Sequence, residues 1–212
     1  MPNSLIHMLV NLAVALLIAA LVYNHYKSRV AAPGERYSTF WPRFLSPSID
    51  GVILWPVTAL LPVIVFDLAP AAYSAVNIAV TLFFYGYSIY FHGTYGGTIG
   101  KLKTGIRVVD AKTEQPIGMR QALLRDIVPL ALALFLYAYA FSQAGMADFE
   151  SSPYVAWVPA LFGFWFLAEI VTMLTNEKRR ALHDFIAGTV VIRPTPEELE
   201  LKQEEPRFER AS

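Results

Sequence analysis

Five long apolar runs alternate with polar segments along the 212-residue chain. They occupy residues 5–23, 47–66, 75–91, 127–142 and 154–174. Each run is close to the roughly 20 residues that a helix needs to cross a hydrocarbon layer of ~30 Å. The pattern therefore predicts an all-α polytopic membrane protein with five transmembrane helices.

Positive charge is confined to one set of loops. All 17 Lys and Arg residues fall within residues 24–43, 92–125 and 175–212. The other two connections carry only the acidic residues Asp67, Asp148 and Glu150. Because Lys and Arg concentrate in cytoplasmic loops, this partition predicts an outside N-terminus and a cytoplasmic C-terminus.

Composition narrows the class of protein further. The chain is 55% hydrophobic and 16% charged, with a mean hydropathy of +0.43, which excludes a disordered chain and an ordinary soluble domain. It has no cysteine, so disulfides and thiolate sites for zinc or iron–sulfur clusters are excluded. We expect no cofactor and no metal. Residues 1–6 carry no basic side chain, and the long first run is expected to be a retained helix rather than a cleaved signal peptide.

Three segments are expected from this organisation. Residues 1–36 form an N-terminal transmembrane helix and a cytoplasmic linker, residues 37–194 a membrane domain, and residues 195–212 a charged cytoplasmic tail. Two short β-branched runs, IRVVD and GTVVIR, lie on the same predicted side of the membrane. They are expected to pair as a small cytoplasmic β-ribbon. Thr195 and Glu198 have the spacing of a capping box, which predicts a short surface helix or a disordered tail.

Asp50 is the most informative single residue, because it lies inside the second apolar run. An ionised carboxylate there costs on the order of 2.5–3.5 kcal/mol on insertion scales. Arg43 precedes it by two helical turns and lies on nearly the same face. Its guanidinium is expected either to reach toward Asp50 or to bind a lipid phosphate. Asp50 is then either an ion or proton site or a buried polar clamp between helices.

Glu169 presents the same choice in the fifth run, within the apolar sequence FWFLAEIVTML. Burial favours the protonated, neutral form of a carboxyl. Glu169 is therefore expected either to exchange protons or to pair with a basic side chain such as Arg125. Arg125 and its neighbour Asp126 stand at the start of the fourth run, as Arg43 does at the start of the second.

Other motifs favour structural roles. His183 and Asp184 invite a catalytic or metal-binding interpretation, but no nucleophile or ligand set accompanies them, so a hydrogen-bonding brace is preferred. The GGTIGK sequence, which contains Gly100 and Lys101, lacks the spacing and the Ser or Thr of a phosphate-binding loop. We therefore expect neither an enzyme nor a nucleic-acid-binding protein.

Three sequence blocks in order resemble the RDD family of bacterial membrane proteins. They are WPRFLSPSIDGVIL, GGTIGKLKTGIRVVDAKTEQPIGMRQALLRD and RRALHDFIAGTVVI. The resemblance spans about residues 37–194, and by motif it implies that the family's arginine is Arg43 and that its two aspartates are Asp50 and Asp184. It also implies a role in transport, since members of the family are linked to cation/proton exchange.

The leading hypothesis is accordingly a small cation/proton exchanger or solute transporter that uses its intramembrane carboxylates. Its expected partners are the lipid bilayer and a proton or monovalent cation. The membrane domain of residues 37–194 contains four of the five predicted helices. Four helices enclose little volume, so a homodimer is expected. The alternative is a membrane scaffold or assembly factor that docks a cytoplasmic partner through its glycine-rich loop.

Overall fold

The computed structural model describes residues 2–32, 34–68, 72–142, 153–195 and 198. Within these residues the chain forms eight α-helices, one π-helical turn and two strands. The α-helices are α1 (Pro2–Tyr26), α2 (Phe40–Trp55), α3 (Leu61–Leu68), α4 (Tyr73–Tyr95), α5 (Ile99–Lys103), α6 (Met119–Ser142), α7 (Pro153–Thr175) and α8 (Leu182–Ala187). The π-helical turn is Pro56–Leu60, and the strands are β1 (Arg107–Asp110) and β2 (Thr189–Ile192).

Three of the described helical segments are long and apolar enough to cross a membrane. They are Ile6–Tyr26, Phe40–Phe66 and Met119–Tyr139, and a shorter apolar segment covers Ala160–Thr175. Helix α4 has 23 residues, which is sufficient length, but it is not among the three. Polar residues within α4 lower its hydropathy. The expected membrane-helix character of the chain is thus supported by three segments.

The second membrane segment begins earlier than the apolar run indicates and is not a regular α-helix. It starts at Phe40 and passes through the π-helical turn into α3. Pro56 opens that turn, because a proline has no N–H to donate to the preceding turn of the helix. The Thr58 hydroxyl donates to Leu54 O at 3.1 Å. The distortion at Pro56 therefore takes the form of a wider helical turn.

The predicted β-ribbon is present. Strands β1 and β2 are antiparallel, with Arg107 opposite Ile192 and Asp110 opposite Thr189. An isolated two-stranded ribbon is marginal in water, and here one face packs on the start of α6. The buried cluster that joins them comprises Ile106, Val108, Ile117, Ala122 and Val191.

The linker and tail bind the outer side of this ribbon. Arg193 N donates to Arg36 O at 2.9 Å, and the Arg36 guanidinium forms an ion pair with Glu114 at 2.6 Å. The predicted capping box is also present, since Thr195 N donates to Glu198 Oε2 at 3.0 Å and Glu198 N to Thr195 Oγ1 at 3.4 Å. The expected helix or disorder beyond residue 198 lies outside the described residues.

A sharp turn after α4 brings the glycine-rich segment back under α2. Gly96 ends α4 with a φ of 78°, a left-handed conformation that glycine adopts without strain. Helix α5 then packs against α2, while α8 packs against α6 and α7. We call the end of the helices that carries α5, α8 and the β-ribbon the ribbon end.

Candidate functional site: buried charges at the ribbon end

Asp50 is buried and fully hydrogen-bonded. Its Oδ1 accepts hydrogen bonds from Tyr87 Oη and Gly100 N, each at 2.7 Å. Its Oδ2 accepts one from Thr98 Oγ1 at 2.7 Å. Since Thr98 and Gly100 open α5, the Asp50 carboxylate satisfies N-terminal donors of that short helix from the side of α2. This geometry matches the polar-clamp interpretation of Asp50.

Gly100 allows α5 to approach α2 this closely. A Cβ atom at Gly100 would overlap the backbone carbonyl oxygen of Ser46 and lie 2.7 Å from Asp50 Oδ2. Any other residue would therefore push α5 away from α2. The close contact between α5 and α2 thus explains the glycine at this position, and a phosphate-binding role is not needed to account for it.

Asp184 is the centre of a second cluster and has no exposed surface. Arg43 Nη2 lies 2.7 Å from its Oδ2, and Arg125 Nη1 forms an ion pair with its Oδ1. Ala181 N donates to Asp184 Oδ2 at 2.9 Å, and Thr189 Oγ1 donates to Oδ1 at 3.0 Å. One carboxylate thus connects α2, α6, α8 and β2.

The charges of this cluster determine its protonation. Burial alone would raise the pKa of Asp184, but the guanidinium groups of Arg125 and Arg43 hold its pKa well below the usual range. Asp184 is therefore ionised under all physiological conditions. Two buried cations and several hydrogen bonds offset its desolvation, as a buried charge requires.

His183 joins this cluster to Glu169 on α7. Its Nε2 lies 2.8 Å from Arg125 Nη2 and 3.2 Å from Arg43 Nη2. Both guanidinium groups are donors, so Nε2 is the acceptor and the ring proton is assigned to Nδ1. Burial lowers the pKa of His183, and Arg125 lowers it further despite the opposing effect of Asp184. His183 is thus neutral at neutral pH.

The contact between His183 and Glu169 is incomplete. Glu169 Oε2 lies 2.7 Å from His183 Nδ1 but outside the direction of a ring N–H bond. Glu169 Oε1 accepts a longer hydrogen bond, 3.3 Å, from His183 N. Glu169 is 9% exposed. One oxygen of this buried carboxyl therefore has no hydrogen-bond partner among the described residues.

Lys101 lies between the two clusters. Its Nζ is 2.7 Å from His92 Nε2. Burial, assisted by Arg125 and Arg43, lowers the pKa of Lys101 from its ordinary 10.5 to about 7. The carboxylates of Asp126 and Asp50 act in the opposite direction. Lys101 therefore exchanges its proton near neutral pH, which a surface lysine does not do.

Asp126, next to Arg125 on α6, has the second incomplete carboxyl. Its Oδ2 is buried with no hydrogen-bond partner among the residues that the structure describes. Asp126 Oδ2 and Glu169 Oε2 are the two buried side-chain oxygens of the described residues in this condition. Such atoms are rare in folded proteins and require an explanation.

The structure does not pair Arg43 with Asp50. Arg43 contacts Asp184 instead, because α8 places its carboxylate beside α2. Arg125 likewise pairs with Asp184, and Glu169 faces His183 instead. Asp50 and Glu169 belong to separate sets of contacts. These contacts agree with the hydrogen-bonding brace that was preferred from the sequence for His183 and Asp184. His183 joins α7 to α2 and α6, and Asp184 supplies the link to β2 through Thr189.

Several site residues were missed from the sequence. They are Tyr87, His92 and Thr98, which contact Asp50 or Lys101, and Thr189, which contacts Asp184. A signal was available for His92, since Ser88 and His92 are one turn apart in a run of uncharged residues. Nothing in the spacing of Thr189 distinguishes it from an ordinary strand residue.

Comparison with known proteins agrees with this picture. Residues 37–188 match the RDD family. The chain is 26% identical to an uncharacterized protein of Haemophilus influenzae over 151 residues, which cover 71% of this chain and 74% of the relative. No solved structure shows a significant match.

The apolar helices, with their buried charges gathered at one end, define an integral membrane protein. The chain belongs to the RDD family, whose match covers α2 to α8 and leaves α1 outside. The resemblance in the three sequence blocks is thereby confirmed.

Proposed function

We propose that this protein is a proton-coupled transporter of the bacterial inner membrane, with five membrane helices and the ribbon end in the cytoplasm. Helices α4 and α7 would then be the remaining two crossings. The confinement of Lys and Arg to the ribbon-end segments supports this orientation. The proposed coupled solute is a monovalent cation.

The incomplete Glu169–His183 contact carries this proposal. In a cluster that only holds helices together, the buried oxygens are expected to be satisfied, as those of Asp50 and Asp184 are. Glu169 instead keeps an unpartnered oxygen next to a neutral imidazole. A proton that binds this carboxyl removes the cost of an ionised group in an apolar helix.

The buried charged residues of the ribbon end then divide between proton binding and structural support. Glu169 binds and releases the proton, and His183 is positioned beside it by Arg43 and Arg125. Asp184 holds both guanidinium groups in place. Asp50 anchors α5 to α2 and keeps the glycine-rich segment against the membrane helices. In this proposal Glu169 binds the transported proton and Asp50 does not, whereas the sequence hypothesis used both intramembrane carboxylates for transport.

Cation-driven proton flux in proteoliposomes tests the proposal. With a pH-sensitive dye inside the vesicles, the wild-type protein is expected to move protons when a Na⁺ or K⁺ gradient is imposed. Glu169→Gln keeps the size of the side chain but cannot ionise, so flux should fall to the rate of empty vesicles. A wild-type rate equal to that of empty vesicles for every cation would exclude proton-coupled cation exchange.

Glu177→Gln is the matched control, since Glu177 is an exposed carboxyl beyond the end of the same helix α7. It should leave the flux unchanged. Equal flux in wild type, Glu169→Gln and Glu177→Gln would show that transport, if present, does not use Glu169.

One observation favours the alternative of a scaffold. A cavity of about 280 Å³ lies between the glycine-rich segment and β1. It is lined in part by Thr94, Leu102, Arg107 and Pro116. Its size fits one or two side chains of a partner peptide. In this interpretation the buried charge clusters only support the docking surface.

Filling this cavity with a large side chain is an experiment that distinguishes a scaffold from a transporter. Thr94→Trp places a large ring at its exposed rim, whereas Thr113→Trp, in the exposed turn after β1, serves as the control. If the protein is a scaffold, a co-purifying protein should be lost in Thr94→Trp and retained in Thr113→Trp. If it is a transporter, both variants should keep the proton flux of the wild type.

A further inference from the structure

A stripe of polar side chains follows one face of α4, where this helix packs against α6. Its members are separated by three or four positions, which places them on one side of a helix. They are Asn77, Thr81, Tyr85, Ser88 and His92, and all are buried or half-buried. In contrast, Phe83 and Phe84 on other faces of α4 are exposed. Polar residues that face the interior of a helix bundle are costly in a membrane and mark functional pathways.

Helix α6 completes the half of the stripe that lies away from the ribbon end. Thr81 Oγ1 is 2.8 Å from Tyr137 Oη, and Tyr137 Oη donates to Asn77 O at 3.3 Å. Tyr85 lies within electrostatic range of both Tyr137 and Asp126. The hydroxyl groups of α4 and α6 thus lead from Asn77 toward the buried carboxyl of Asp126.

The other half of the stripe leads to Lys101. His92 Nδ1 lies 2.7 Å from Ser88 O and 3.2 Å from Ser88 Oγ, and His92 Nε2 is 2.7 Å from Lys101 Nζ. The Lys101 ammonium also interacts electrostatically with Asp126. We call the seven residues Asn77, Thr81, Tyr85, Ser88, His92, Asp126 and Tyr137 the α4–α6 seam.

We propose that the α4–α6 seam is the path by which protons cross the membrane and that Asp126 is the residue that binds each proton on the way. This inference rests on the proposed function and adds a route and a second proton-binding carboxyl to it. Protonation converts the carboxylate of Asp126 to a carboxylic acid at the unpartnered Oδ2. The proton then passes by way of His92, whose Nε2 lies 2.7 Å from Lys101 Nζ, to the neutral amine of Lys101. This transfer restores the carboxylate of Asp126 and converts Lys101 to an ammonium group.

The chemistry of the seam favours a proton over a metal ion as its occupant. Hard cations take about six oxygen ligands, whereas the seam presents one free carboxyl oxygen together with hydroxyl groups that already bond each other. Hydroxyl and imidazole groups both donate and accept, as a proton relay requires. The pKa of Lys101, lowered to about 7 mainly by burial, makes proton release on the ribbon side possible near neutral pH.

Two measurements on purified full-length protein test the seam. In proteoliposomes, Asp126→Asn should reduce proton flux to the rate of empty vesicles, while Asp126→Glu retains part of it. Tyr137→Phe removes one hydroxyl and should slow the flux by about fivefold to tenfold, the range expected for one lost hydrogen bond. Infrared spectra of the Glu169→Gln protein, in which the other proposed proton-binding carboxyl is removed, should contain a pH-dependent protonated carboxyl band that disappears when Asp126→Asn is added.

Tyr90→Phe is the control for Tyr137→Phe, since Tyr90 is an exposed tyrosine of α4 outside the stripe. Flux that is equal in wild type, Asp126→Asn and Tyr137→Phe would overturn the seam while leaving proton transport intact. If the wild-type protein moves no protons, the proposed function fails instead. The infrared band remains informative in that case, because its persistence when Asp126→Asn is added to Glu169→Gln would also overturn the assignment of Asp126. Thermal unfolding in detergent shows whether each variant is folded.

Discussion

Four acidic side chains near the ribbon end differ in how completely they are satisfied. Asp50 and Asp184 each accept several hydrogen bonds or ion pairs with both oxygens. Glu169 and Asp126 each keep one buried oxygen without a partner among the described residues. A satisfied carboxylate stabilises one arrangement of helices, whereas an unsatisfied one gains from binding a proton. The position of these residues in the sequence did not reveal this difference.

The sequence located the charged residues but not their partners. Asp50 and Glu169 could be selected because each interrupts an apolar run, and that selection needs no structure. Arg43 was expected near Asp50 from helical spacing alone. Its true partner, Asp184, lies far away in the sequence, and only the packing of α8 against α6 and α7 brings it to α2. Pairings between distant segments depend on tertiary packing, which local periodicity does not contain.

Lys101 gives a prediction for stability against pH. Its pKa is about 7 in the folded protein and 10.5 in an unfolded chain. Between these values the unfolded chain binds a proton that the folded protein has released, so the free energy of unfolding increases with pH. We expect an increase on the order of 1–3 kcal/mol between pH 7 and pH 10.

Thermal or denaturant unfolding in detergent at a series of pH values measures this increase. Lys101→Met removes the titrating group and should flatten the curve in this window. Lys103→Met is the control, since Lys103 is an exposed lysine at the end of the same helix. A wild-type curve as flat as that of Lys101→Met would contradict the assigned burial of the ammonium group.

The short helix α5 shows how a glycine-rich segment becomes a structural element. It has five residues, too few for a stable isolated helix, and it depends on contacts with α2. The five glycines of GTYGGTIGKLKTG suit backbone bends and a close approach of the chain to α2. The helix itself was not expected, because its stability comes from Asp50 and not from its own residues.

Gly100→Ala should therefore destabilise the protein more than an ordinary substitution of glycine. The added methyl group overlaps Ser46 O and crowds Asp50, and overpacking of this kind costs about 1–3 kcal/mol. The comparison is Gly118→Ala, where a Cβ atom meets nothing within 4 Å. Unfolding midpoints in detergent measure both variants, and equal values would show that α5 can move away from α2 at no cost.

Much of the arrangement of the whole chain could be predicted from its hydrophobic pattern and its charges. The order of the long helices and the pairing of β1 with β2 both agree with the sequence interpretation. Helix boundaries differ because polar residues extend the helices beyond their apolar runs. Helix α6, for example, begins at Met119, before the apolar run that starts at residue 127. Backbone hydrogen bonds continue a helix wherever no breaker intervenes, irrespective of hydropathy.

Orientation in the membrane is a separate prediction. The chain has no cysteine, so single cysteines can be introduced without removing others. Thr113→Cys lies in the exposed turn after β1 and should react with a membrane-impermeant maleimide only after the cells are opened. Ser151→Cys, in the connection between α6 and α7, should react in intact cells. The opposite pattern would invert the proposed topology and with it the direction of proton movement.

Helix α1 limits how two copies of this protein can meet. It lies outside the residues that match the family, yet it packs along α2, where Ala19, Val22 and Tyr26 form a buried cluster with Ile49. This side of α2 is therefore already occupied within a single chain. A second copy that approached from that direction would reach α1 before any shared part of the fold. In relatives without such a helix the same face of α2 would be exposed. An oligomer that they form through this face would therefore be blocked by α1 in this chain.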